Sequence, residues 1–123
     1  MKLILSSLSL LLLITSTAFA DIEKGFAAAQ EGDFETAFNE YKSSAESGEA
    51  EAQFLLSNMY FDGLGTQFSS QEGMRWLRAA ADQNHHDAQF TLAMLYASGQ
   101  YVPQNDIESF NWSLKSAENG NLP

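Results

Sequence analysis

Two adjacent histidines, His85 and His86, followed at once by Asp87, are the grouping in this chain whose residue types come nearest to a metal or acid–base site. A metal needs its donors to converge on one point, whereas neighbouring residues usually point apart. The zinc spacing of two histidines four apart with a glutamate, which aligns both imidazoles on one helix face, does not occur. The pair is expected to be solvated in a turn, with no metal bound. Serines are numerous, yet none lies in Gly-x-Ser-x-Gly or Ser-x-x-Lys, the arrangements that activate a hydroxyl for acyl transfer. The carboxylate pairs Glu49 with Glu51 and Asp106 with Glu108 fall at expected helix starts, where negative charge favours the dipole. Gly63-Leu64-Gly65 has no strand before it and is read as a helix terminator and turn, not a phosphate loop. The chain contains no cysteine, which removes a thiolate nucleophile, a thiolate-ligated metal and any disulfide. No catalytic residue, cofactor or metal is therefore expected, and the function left to such a chain is binding.

The first twenty residues differ from the rest. Lys2 precedes a run from Leu3 to Ile14 broken only by serines, and the segment closes on Ala18-Phe19-Ala20. A basic start, an apolar stretch shorter than the roughly 20 residues that span a bilayer, and small residues at both Ala-x-Ala positions are the parts of an export signal. Residues 1–20 are expected to be a signal peptide cleaved before Asp21, leaving a mature chain with no stable membrane insertion. Five basic side chains (Lys24, Lys42, Arg75, Arg78 and Lys115) then stand against all sixteen carboxylates. A phosphate backbone is repelled by such a field, so nucleic acid is not an expected partner, whereas a basic protein surface is attracted to it.

The elements that carry these residues come from an internal duplication. At a spacing of 36 residues, Ala52-Gln53-Phe54 falls on Ala88-Gln89-Phe90, Tyr60 on Tyr96, Gly63 on Gly99, Glu72 on Glu108, Trp76 on Trp112 and Ala81 on Ala117. In the first helix of each unit, Ala52, Leu55, Leu56, Met59 and Tyr60 recur in steps of three and four, which places them along one face until Gly63 ends the helix. The second helix opens on a side chain able to cap it, Ser69 with Glu72 or Asn105 with Glu108, and closes at Asn84 or Gly120, residues that tolerate a left-handed backbone. Upstream, Phe38, Tyr41, Ala45 and Gly48 keep the register of Met74, Leu77, Ala81 and Asn84, with Gly32-Asp33 as a shorter turn. The expected architecture is all-α, a short α-solenoid of three helical hairpins. A degenerate tetratricopeptide-like hairpin spans 21–49, repeats span 50–85 and 86–121, and 122–123 stand where a further unit would begin.

The pattern Ala-Gln-Phe-x-Leu-x-x-x-Tyr-x-x-Gly, a loop, and then Trp-x-x-x-x-Ala-x-x-Asn/Gly resembles the Sel1-like repeat, a relative of the tetratricopeptide repeat, over Ala50 to Gly120. Ser69 and Asn105 replace that family's Asp, Gly73 and Ser109 its Ala, and Tyr101 its Gly. The resemblance implies a right-handed α-solenoid serving as an adaptor or scaffold, often periplasmic or secreted in bacteria, with first helices lining a concave surface. Cysteine-rich relatives linked to β-lactams offer nothing to carry over to a chain without cysteine.

Binding residues are sought where apolar side chains exceed what packing absorbs. Phe54, Ser57, Asn58 and Phe61 lie opposite the first face of their helix, and Phe90, Ala93, Met94 and Ala97 lie opposite it in the copy. Phe54 and Phe90 suit the space between repeats, which leaves Phe61 and Met94 as candidate edges of a groove for a partner segment. In the last helix, Ile107 and Leu114 replace Gln71 and Arg78 of the middle unit. With Phe110 they form a surface expected to be covered by a partner or by a second copy. The leading expectation is a periplasmic, alternatively secreted, non-catalytic scaffold that binds a protein partner, a basic one being compatible with the charge, which excludes partners better than it nominates one. A hydrolase of β-lactam or cell-wall amides and an inhibitory or specificity subunit of another enzyme are the rivals.

Overall fold

The computed structural model describes residues 17–120 as six helices, with no strand among them. Most of the expected leader (1–16) and the final residues 121–123 lie outside the described residues. Helix α1 covers 17–30. It is followed by α2 (Phe34–Glu46), α3 (Ala50–Asp62), α4 (Ser70–Asp82), α5 (His86–Ser98) and α6 (Asp106–Asn119). Residues 17–20, expected to leave with the leader, form the first turn of α1, and the Ser44 hydroxyl donates a hydrogen bond to the Ala18 carbonyl.

Each even-numbered helix starts at a polar cap. Asp33 accepts from the Thr36 backbone N–H at 3.2 Å, Ser69 from that of Glu72 at 3.1 Å, and Asn105 from those of Ile107 and Glu108 at 3.1 Å. Hydrogen bonding to Thr36 holds the Asp33 carboxyl below its usual range. The capping box is only half made. Glu72 turns to Arg75 at 2.7 Å, while the cap's own N–H reaches back to the preceding helix, from Ser69 to the Tyr60 carbonyl and from Asn105 to the Tyr96 carbonyl, both at 3.0 Å. That bond closes the hairpin and fixes its register. Gly63, Gly99 and Asn84 end their helices in the left-handed region as the sequence suggests. Gly120 does not: its φ is −96°, so the last helix ends on extended backbone and the expected left-handed cap is absent there.

Two apolar clusters form the core, and both cross a boundary between units. One joins Phe38, Tyr41 and Ala45 of α2 to Ala52, Leu56 and Met59 of α3. The other joins Met74, Leu77 and Ala81 of α4 to Ala88, Leu92 and Tyr96 of α5. Leu56, Leu77 and Leu92 are fully buried. Each unit thus buries its second helix by seating the first helix of the next, which is the construction of a solenoid. Helix α6 has no buried residue at all.

Candidate functional site

The joints between units share one polar device. Gln53 is buried and donates from Nε2 to the Ala45 carbonyl at 3.2 Å, while its Oε1 accepts from Gln83 at 2.8 Å. Gln89, 36 residues on, donates to the Ala81 carbonyl at 3.0 Å and accepts from Asn119 at 3.3 Å. The amide gives a carbonyl at the end of the preceding helix a second hydrogen bond, beside the one it already accepts from the Gly48 or Asn84 backbone N–H, and this satisfies a polar side chain buried among the apolar contacts of the joint.

His85 is not the solvated turn residue the sequence suggested. It caps α5: Nδ1 accepts from the Ala88 N–H at 3.2 Å, and Nε2–H points at the Glu51 carboxylate of the preceding unit at 2.6 Å. Its ring lies 4.8 Å from that of Phe54. The one tautomer with its hydrogen on Nε2 satisfies both bonds. His86 is exposed, with Nδ1 3.2 Å from Asp87. Replacing His85 by Ala is expected to cost about 1 kcal/mol through the lost cap, and His86→Ala less than about 0.5 kcal/mol. Urea denaturation of the two variants checks the contrast, and equal effects would refute the assignment.

Ser113 and Ser116 lie near His86 and Asp87 around an open hollow of about 480 Å³. The Ser116 hydroxyl donates to the backbone carbonyl of His86 at 2.9 Å, and among the described residues no serine hydroxyl bonds a histidine nitrogen. Nor do three or more histidine, aspartate or glutamate side chains converge on a metal position among the described residues. The hollow therefore lacks the oriented base that would activate a hydroxyl.

Of the residues singled out for binding, Ile107, Phe110 and Leu114 are brought together on one face of α6, where their spacings of three and four give a stripe 74%, 66% and 49% exposed. Met94 is exposed on the neighbouring α5. Phe61 does not belong to this surface. Its ring stacks on Tyr101 at 4.9 Å and 8°. It also fills the space over Gly73, where an added Cβ would meet it at 2.6 Å. Phe61 is thus half-buried packing, and Gly73 stands in place of a larger residue because the ring needs that room. Phe90, expected with Phe54 to fill the space between repeats, is instead 56% exposed beside the hollow. Its counterpart Phe54 is covered by the next unit's His85, so the repeat register, not residue type, was the signal that could have found it.

Stacked hairpins, in which the second helix of one unit packs on the first helix of the next, define a helical repeat protein. The Sel1 repeat family model matches residues 50–85 and 86–121, and the chain belongs to that family. A sel1-like repeat-containing protein of Acanthamoeba polyphaga mimivirus is 36% identical over 44 residues, which is 36% of this chain and 8% of that protein. The crystal structure of a Sel1 repeat protein from Oxalobacter formigenes aligns with a TM-score of 0.70 and 29% identity, over 72% of this chain and 26% of that one. A protective antigen present in uropathogenic Escherichia coli strains, displaying the same type of fold, gives 0.80 and 27% over 87% and 24%. The chain spans about a quarter or less of the length of these relatives.

Proposed function

We propose that this protein is an exported, non-catalytic interaction scaffold of the bacterial periplasm that binds a protein partner through the exposed apolar stripe of α6. The observation that carries this reading is the stripe of Ile107, Phe110 and Leu114, exposed on the face of α6 while Trp112 of the same helix packs partly buried against the core. Covering these side chains releases water from apolar surface and contributes about 1–2 kcal/mol each. Export rests on the leader features of residues 1–20, and a basic partner on the formal net charge of −10. Among the described residues, no helix is long and apolar enough to cross a membrane.

A pulldown from periplasmic extract, with the chain from Asp21 as bait, tests the reading. The expected result is one enriched basic protein, lost at high salt and lost again when the bait carries Ile107→Lys and Leu114→Lys. Recovery of bait alone at every salt concentration would overturn the scaffold assignment.

A further inference from the structure

We propose that the edge of the solenoid formed by the turns within its hairpins, separate from the α6 stripe, binds an extended, arginine-bearing segment of a protein partner. The turns that join first to second helix fall at residues 31–33, 63–69 and 99–105. They make one continuous surface. Gly65 of the second turn lies against the Phe34 carbonyl at the start of α2, and Tyr101 of the third turn carries its ring 6.0 Å from that of Phe68 in the second. Along this edge Phe34, Leu64, Phe68 and Tyr101 are exposed, Phe68 most of all at 57%.

The charge of the edge has one sign. Glu31, Glu35, Asp62 and Asp106 stand in or beside these turns, all exposed, whereas no lysine or arginine occurs at positions 25–41, 43–74 or 79–114. Among the described residues, none of these four carboxylates has an ion-pair partner. The same carboxylates repel a phosphate backbone, which excludes a nucleic acid despite the exposed rings.

The chain itself shows what such groups attract. On α4 the Arg75 guanidinium lies 4.5 Å from the Trp76 ring while bonding the Glu72 carboxylate at 2.7 Å. Arg78 lies 5.8 Å from the Tyr96 ring, and Lys115 lies 4.5 Å from that of Trp112. A ring's quadrupole attracts a cation to its face, and a carboxylate alongside bonds the same cation. Among the described residues, no cation lies over Phe34, Phe68 or Tyr101. An arginine supplied from outside completes the arrangement seen at Arg75, because its planar guanidinium stacks on a ring and bonds a carboxylate in one pose. Packed helices sit about 8–10 Å apart and an extended chain advances about 3.3 Å per residue, so one arginine in three residues keeps step with successive turns.

The probe is a fluorescein-labelled decapeptide of glycine and serine with arginine at every third position, titrated with the full chain in fluorescence anisotropy. Saturable binding is expected, weakening with added salt. Phe68→Ser should weaken it by about three- to fivefold, the effect of one exposed cation–ring contact. Tyr101→Gly, which relieves a left-handed backbone, should do the same, and it decides the matter if circular dichroism shows Phe68→Ser unfolded. Asp62→Asn should weaken binding about twofold, whereas Glu46→Gln, an equal loss of charge at the opposite edge, leaves it unchanged. Absence of binding, binding indifferent to both ring substitutions, or equal losses from Asp62→Asn and Glu46→Gln overturns the proposal. So does a dimer in sedimentation that Phe68→Ser dissociates, since a second copy would then occupy the edge. A pulldown partner lost on α6 substitution but indifferent to Phe68→Ser sinks this inference and leaves the scaffold reading standing, whereas bait alone sinks the scaffold reading itself.

Discussion

Leu92→Ala is expected to lower the stability of the protein by about 3–4 kcal/mol, the range for a fully buried leucine whose cavity cannot collapse. Leu92 is fully buried within the cluster that joins α4 to α5. The neighbours cannot close in, because the second helix below is already seated on its own hairpin. For a domain of this size the melting temperature should fall by more than about 10 °C, read by circular dichroism, and a drop below about 2 °C would contradict the role given to this joint. The functional consequence is specific. Helix α6 buries no residue and depends on α5 for its place, so partner capture should fail at a lower temperature in this variant than in the parent protein.

Gly65→Ala is the second large effect, and its origin is backbone. Gly65 has φ +71°, and a Cβ there would lie 2.1 Å from the Phe34 carbonyl oxygen at the start of α2. The oxygen belongs to the main chain of the preceding unit, so relief requires the loop or the α2 terminus to move. A cost of about 3 kcal/mol or more is expected, the left-handed conformation alone accounting for roughly 1–2 kcal/mol. Gly63 provides the control. It has φ +66° but its nearest neighbour would be 3.4 Å away, an ordinary contact. Gly63→Ala should cost only the left-handed contribution, roughly 1–2 kcal/mol. Similar losses in both variants, measured by urea denaturation, would show that the close approach to Phe34 is not limiting.

The position 36 residues after Gly65 is Tyr101, and it keeps the left-handed backbone with φ 64°. A tyrosine pays strain there, and its ring compensates by stacking on Phe61 and lying 6.0 Å from Phe68. The departure of Tyr101 from the family's glycine is visible in the chain, but the reason for it is not. Phe61 and Phe68 lie 40 and 33 positions earlier, on a helix and a loop of another unit, and no local pattern announces that contact.

Periodicity read along one chain carried much of the remainder. Apolar steps of three and four, cap residues at Ser69 and Asn105, and glycines at 63 and 99 define helices and their ends through interactions a few residues long. A match of residues 36 apart then implies hairpins that stack, since one hairpin cannot bury its own faces. The α6 stripe was legible for the same reason, because comparing Ile107 and Leu114 with Gln71 and Arg78 asks only what the equivalent position tolerates.

The sequence by itself determined the all-helical fold, the repeat and the apolar change at its end, because each is set by local spacing and by comparison of equivalent positions. Only the tertiary structure decided that Phe61 is consumed in packing, that His85 caps a helix while bonding Glu51, and that Gln53 and Gln89 satisfy carbonyls of the unit before. These roles depend on side chains meeting across a joint, at distances of 2.6 to 4.9 Å between residues up to 40 positions apart. Hydrogen bonding and close packing act over a few ångströms in space, and a one-dimensional pattern records which residues are present without recording which of them meet.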